Sequence, residues 1–341
     1  MRLIKKAGIW KRFKDNGILE GEVLYKKTTM EVFPIIVPFC NKLKSINFYL
    51  VRYKDSLILI DAGMDTEDCW RSLQKILEEN HYKLIDISAI LLTHHHTDHI
   101  GLVNRIVCAN PIPVYAHPRA IPILKRDSEY MKRRKEFFRN LYRQMGCGKF
   151  GDRQVVDLHN PILLTEDKKI ECDIKVAQDL FFDFDILDIP GHAPDQIAFY
   201  NRNCKWLFSG DLLIAHMASN AFIEPNLDGV RTNSLIQQKR SLEKCLSLDV
   251  EVIFSGHGDI LQNPVDIIKE RIIELDKKAN IYLDIIKSGI STGHDIARFR
   301  FNERYEKQFF NIISEIIGYL DYLELQGEIH KEMENGIWQY Y

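Results

Sequence analysis

LLTHHHTDHIGL, residues 91–102, decides the fold. It overlaps ISAILLT (87–93), a continuous apolar run of the kind that fills a strand buried on both faces. The side chains that follow therefore sit in the loop at that strand's end. His94 and His96 are two apart in an extended loop and can converge on one metal ion. Asp98 and His99 open the next helix and can face a second ion. Imidazole and carboxylate together suit zinc or another borderline divalent ion. An exposed histidine tag would not lie inside the chain behind an apolar strand.

Three distant positions extend the pattern. His192 lies in DIPGHAPDQIAFY (188–200), Asp211 in WLFSGDLL (206–213) and His257 in VIFSGHG (252–258). Each stands at a strand end beside glycine, where backbone can approach a ligand closely. Taken in order, His94-x-His96-x-Asp98-His99, His192, Asp211 and His257 resemble the metallo-β-lactamase superfamily over about residues 20–262. The resemblance implies an α/β fold, an αββα sandwich with two metal ions at one rim of its sheets. It implies His94, His96 and His192 on one ion, Asp98, His99 and His257 on the other, and Asp211 bridging them. Asp61, after LILI, matches the family's strand-end aspartate, which orients a ligand histidine. The implied cofactors are two divalent ions, zinc first, with iron or manganese as alternatives.

The set also separates branches of the family. Zinc β-lactamases usually carry cysteine where Asp211 stands, which argues against an antibiotic hydrolase. Oxygen-reducing flavo-diiron relatives carry glutamate in place of His96. What remains resembles hydrolases with a full two-metal site, in which a metal-bridging hydroxide attacks and no side-chain nucleophile is needed. Asp98 is the catalytic candidate, taking the proton and passing it to the leaving group. His95 is turned away by alternation and is expected not to be a ligand. His81, His117, His159, His216, His294 and His330 are expected in structural or surface roles, His216 being the one to watch, five residues past Asp211.

The rest of the chain is ordinary in composition: 341 residues, 45% hydrophobic and 28% charged, enough for about two domains. Forty-six basic and 48 acidic residues leave a net charge of −2, which argues against attachment to nucleic acid or anionic lipid by bulk charge. Seven scattered cysteines form no C-x-x-C pair, and the basic start lacks an apolar leader core. Free thiols, a cytoplasmic location and no membrane span are expected. Strands are expected over 22–27, 32–37, 46–53, 56–61, 87–93 and 113–117, and a helix over 67–79. Strands resume at RQVVDL (153–158), KIEC (169–172), 184–190, 196–201, 205–210 and 249–256, with a helix over 234–246.

A catalytic domain is thus expected over 1–263, carrying a basic helical insert at about 119–150. From Lys125 to Lys149 nine Lys/Arg stand against three Asp/Glu. Lys132, Arg133, Arg134, Arg139 and Arg143, interleaved with Phe137, Phe138 and Tyr142, read either as a lid over an anionic substrate or as a helix whose aromatics pack down. Arg231 could pair with a carboxylate or phosphate, or lie at the surface. Residues 264–341 read as helices ending in a hairpin at Glu334-Asn335-Gly336, a winged-helix-like domain. This end resembles lactamase-like hydrolases that include a mitochondrial endoribonuclease and thioesterase-like members. Its candidate recognition helix is acidic, which suits packing or homodimerisation better than phosphate binding. The expected function is hydrolysis of a small-molecule thioester, ester or lactone. The alternative is a metal-dependent endoribonuclease or phosphodiesterase, and a non-catalytic regulator ranks behind both.

Overall fold

The structure, a computed structural model, describes residues 2–6, 9–14, 17–27, 30–156, 169–177 and 180–341. Among these residues two large sheets face each other. The first has nine strands in chain order: β1 (Arg2–Lys6), β2 (Ile9–Lys14), β3 (Gly17–Lys27), β4 (Met30–Pro38), β5 (Ser45–Tyr53), β6 (Ser56–Ile60), β7 (Ile87–Leu91), β8 (Val114–Ala116) and β9 (Ile174–Val176). The pairing is antiparallel up to β6 and parallel from β6 to β9. The second has β10 (Leu180–Phe181), β11 (Phe184–Asp188), β12 (Ile197–Asn201), β13 (Trp206–Gly210), β14 (Val252–Ser255) and β15 (Leu261–Gln262), with β13 and β14 parallel.

Strand alternation makes the layers. In β5 and β6, Tyr49, Val51, Ile58 and Ile60 face the second sheet, where they meet Phe199, Phe208 and Phe254. Ile46, Phe48, Leu50, Leu57 and Leu59 face outward onto helices α1 (Glu67–Glu79), α2 (Thr97–Ile100), α3 (Val103–Ala109) and α4 (Ile121–Leu124). Both faces are buried, so these strands read as unbroken apolar runs rather than as alternating ones. The outer face of the second sheet, with Ala198, Tyr200, Leu207 and Ile253, is covered by the remaining helices. These are α5 (Ser128–Gln144), α6 (Gly148–Val156), α7 (Ser234–Leu246), α8 (Val265–Lys287), α9 (Gly293–Phe301), α10 (Glu303–Lys307) and α11 (Phe309–Leu325), followed by the hairpin β16 (Lys331–Glu334) and β17 (Ile337–Tyr340). The result is helix, sheet, sheet, helix.

Two expectations need correction. RQVVDL does not form a strand: 153–156 complete α6, and 157–158 lie outside the described residues. The β-branched pair Val155-Val156 favours a strand locally, but Val155 joins the cluster beneath Tyr142 and Phe309, and packing outweighs propensity. KIEC is irregular, and pairing begins two residues later at Ile174. The N-terminal strands β1 and β2 had no legible sequence signal.

The insert packs down. Tyr130, Arg134, Phe138, Leu141 and Tyr142 form the buried stripe of α5. Phe138 lies 5.9 Å from Phe310, and Tyr142 lies 4.8 Å from Phe309. Helix α11 is apolar almost all round and correspondingly buried, with only Asn311, Glu315, Glu324 and Leu325 outside its buried set. The insert, α7 and the helices after 264 share one hydrophobic cluster.

Candidate metal centre

Strands running in one direction end beneath one rim. Asp61 follows β6, the 93–99 loop follows β7, Asp211 follows β13 and His257 follows shortly after β14. β11 is aligned with β13 through the antiparallel β12 between them, and it leads to His192. The carboxyl ends of such strands are the usual position of a binding crevice in α/β sheets.

All seven candidate ligands meet there. His96 Nδ1 lies 3.0 Å from His94 Nε2 and 3.0 Å from His192 Nε2. Asp211 stands between the two groups: Oδ2 is 3.4 Å from His192 Nε2 and 3.0 Å from His257 Nε2, and Oδ1 is 3.3 Å from His99 Nε2. His257 Nε2 is 3.4 Å from Asp98 Oδ2. The ligand atoms of His94, His96 and His192 lie within 4.8 Å of one another, as do those of Asp98, His99 and His257.

The far side of each ring is fixed by the protein. His99 Nδ1–H donates to Asp61 Oδ2 at 2.7 Å, and His257 Nδ1–H donates to the Ser45 carbonyl at 2.7 Å. His192 Nδ1–H donates to the Asn220 carbonyl at 2.9 Å. The Thr93 hydroxyl donates to Asp61 Oδ2 at 2.8 Å and so accepts from His94 Nδ1–H at 3.0 Å. These bonds set the tautomer and leave each Nε2 lone pair pointing inward.

The residues fit divalent ions. Buried His99 Nε2, His257 Nε2 and Asp211 Oδ1 have no hydrogen-bond partner. Inward lone pairs on imidazoles and carboxylates repel one another unless a cation lies between them, and buried polar atoms are ordinarily paired. Gly256 keeps the cradle open: a Cβ there would stand 2.1 Å from Asp211 Oδ1 and 2.6 Å from His99 Cε1.

Electrostatics divide the centre. Burial, reinforced by neighbouring imidazoles, holds His94 and His96 well below the ordinary histidine range, and burial lowers His192 too. Burial also acts to lower His99 and His257, but carboxylates outweigh it. Asp211 and Asp61 lift His99 well above its ordinary value, and Asp211 and Asp98 lift His257 to about 10. Burial acts to raise both carboxylates, yet His257 and His99 hold Asp211 well below, and Asp98 below, the usual carboxylate range. Bound metal must displace those histidine protons, so its affinity falls with falling pH.

Apart from Asp61, the supports of the site carried no sequence signal that was read. Asn47 donates to the Ser255 and Gly258 carbonyls at 3.1 and 2.8 Å, and Ser45 Oγ accepts from Gly258 N–H at 3.0 Å, fixing the His257 turn. Asp195, fully buried, takes His95 Nδ1 at 2.6 Å and so ties the 93–99 loop to the His192 loop. Only its place three residues after His192 hinted at this. His95 faces Asp195 and is in none of the ligand groupings. His216 Nε2 donates to the Lys42 carbonyl at 2.7 Å. His117 lies 3.5 Å from Asp188, His294 Nδ1 is 3.2 Å from the Tyr305 hydroxyl, and His330 stacks on Tyr341. His81 is a turn residue with φ 62°, and His159 lies outside the described residues.

Two cations offered for anionic substrate are committed elsewhere. Arg134 is buried on Glu224, with Nε 2.7 Å from Oε2, and Arg231 holds Asp321 at 2.7 Å. The reason lies in helix geometry: Arg134 falls on the buried stripe of α5, where a charge needs a partner. Arg139 and Arg143 also pair, with Glu136 and Asp152.

The pattern of the metallo-beta-lactamase superfamily matches residues 42–257. The chain belongs to that superfamily. It is a metal-dependent hydrolase of the family. It is similar to a probable metallo-hydrolase, YqjP, of Bacillus subtilis, at 30% identity over 308 residues, 89% of this chain and 95% of the relative. It is also similar to a hydroxyacylglutathione hydrolase of Nitrosomonas eutropha, at 25% identity over 235 residues, 69% of this chain and 67% of that one. The crystal structure of the metallo-beta-lactamase family protein TTHA1429 from Thermus thermophilus superposes with a TM-score of 0.67 at 22% identity, covering 91% of this chain and 98% of that one, a likeness of fold. No helix among the described residues is long and apolar enough to cross a membrane.

Proposed function

We propose that the protein hydrolyses a small-molecule thioester, ester or lactone, with His94, His96 and His192 holding one divalent ion, Asp98, His99 and His257 a second, and Asp211 shared between them. Zinc suits this nitrogen and oxygen donor set best. Two such ions supply a water of lowered pKa and Lewis acidity at the scissile carbonyl. The carrying observation is the set of inward, partnerless nitrogen and carboxylate atoms around Asp211.

Asp98 is the most open of the second group: its side chain is 19% exposed, against 1% for His257 and 0% for His99. A carboxylate at the mouth of the site is placed to accept a proton from the attacking water and deliver it to the leaving group. Asp61 and Thr93 hold His99 and His94 in the tautomers that donate outward. Phe222, edge-on to His96 and His192 at 5.6 and 5.2 Å and stacked on Phe310 at 5.2 Å, forms an apolar wall beside the ligands. The hydroxyacylglutathione hydrolase among the relatives supports the acyl-transfer reading. Nucleic-acid cleavage ranks second because α11 is buried and three of the insert's cations, Arg134, Arg139 and Arg143, are already paired with carboxylates.

The test is thiol release from acyl-coenzyme A and acyl-glutathione panels by metal-loaded protein, beside Asp98→Ala. Release that vanishes in the variant is expected. No release from protein shown to hold two metal ions overturns the thioester version and moves the search to lactones and then RNA.

A further inference from the structure

A cleft of about 350 Å³ lies against α7, α8 and α11, walled on one side by residues 218–221. That volume falls at the lower end of the range of about 300–1,000 Å³ for small-molecule pockets. Its interior is apolar, with Ala221, Leu235, Leu275, Gly318 and Tyr319, and the exposed Ile281 stands at its edge.

Charge around it is unbalanced. Arg271, Lys277, Lys278 and Arg300 line the cleft against Glu274 and Glu315. Both acids are committed: Glu274 takes Arg271 at 2.7 Å, and Glu315 takes Lys278 at 2.8 Å together with the Tyr282 hydroxyl. Lys277 and Arg300 have no ion-pair partner among the described residues. Arg300 lies over the Tyr282 ring at 4.9 Å, and its Nε, like that of Arg271, is buried without a hydrogen-bond partner. Buried donors and two surplus positive charges beside an apolar interior match a ligand with an apolar body and an anionic end.

The wall is shared with the metal centre. Ser219 and Asn220 line the cleft, and the Ser219 hydroxyl and the Asn220 carbonyl each lie 2.9 Å from His192 Nδ1. We propose that this cleft binds a small amphipathic anion, an aliphatic or aromatic body ending in a carboxylate or phosphate, and that the occupant fastens the 218–221 wall behind His192.

Calorimetric titration of the full chain with octanoate, octyl phosphate and octanol tests this. Both anions are expected to bind, and octanol about tenfold more weakly, the order of one charge-assisted contact. Arg300→Gln removes the free guanidinium, and Ile281→Glu places a like charge at the exposed edge without touching the core. Each is expected to weaken octanoate about tenfold, with circular dichroism confirming the fold. Hydrogen exchange places the ligand: octanoate should protect the peptide spanning 217–222. No binding of octanoate, equal affinity in folded variants, or binding that leaves 217–222 unprotected overturns the proposal. None of these readouts depends on hydrolysis, so the proposal stands or falls apart from the substrate reading.

Discussion

Asp61→Asn tests whether the hydrogen bonds behind the ligands hold the metal centre in shape. Asp61 ends β6 with φ 58°, a left-handed conformation that asparagine also adopts readily, so the substitution leaves the backbone unstrained. Its carboxylate takes three donors. Oδ1 accepts Thr93 N–H at 2.8 Å, and Oδ2 accepts the Thr93 hydroxyl at 2.8 Å and His99 Nδ1–H at 2.7 Å. An amide offers one oxygen. With that oxygen toward Thr93 N, the NH2 group faces His99 Nδ1–H; turned round, it faces Thr93 N–H. Either way a buried donor is orphaned, at about 1–3 kcal/mol. Thr93 in turn holds His94, so the disturbance reaches ligands of both groups. Loss of such a support typically lowers metal affinity 10–100-fold, or about 1.4–2.7 kcal/mol, the same range. Chelator competition on wild type and Asp61→Asn measures it, with thermal melts of the metal-free proteins as the folding control. An unchanged affinity in a folded variant would refute the reasoning.

Two further outcomes concern stability. Arg134→Met leaves the Glu224 side chain, 3% exposed, without its partner and should destabilise by about 3–5 kcal/mol, whereas Arg134→Met with Glu224→Leu should recover most of the loss; denaturant midpoints that do not differ between the single and double variants would sink this. Burial pushes Asp321 up to about 6 against the pull of Arg231. The folded pKa then exceeds the unfolded value of about 3.9, the native state holds the extra proton, and stability is lost as pH rises from about 4 to 6, by about 3 kcal/mol. Asp321→Asn mimics the protonated form, so its stability advantage over wild type should grow across that window and level off above it. An advantage that stays flat with pH removes the argument.

The cluster of candidate ligands was legible because its signal is local. His94, His96, Asp98 and His99 share one loop, and His192, Asp211 and His257 each follow an apolar run and stand beside glycine. The sandwich was legible for a related reason: strands buried on both faces leave continuous apolar stretches. Asp195, Thr93, Asn47 and the Asn220 carbonyl gave no comparable sign, since a hydrogen-bond acceptor is selected by where a distant loop arrives and carries no periodicity. Arg134 misled for the same reason. On the sequence it is one cation in a basic helix, and only the arrival of Glu224, ninety residues away, makes it a buried pair. Val155 and Val156 likewise favour a strand until α5 and α11 offer a helical seat. Residue type and spacing along the chain thus determined the candidate ligands and the strands that carry them. Which acceptors orient those ligands, which cations stay free and which faces are covered depended on long-range packing, because those energies exist only once distant segments meet.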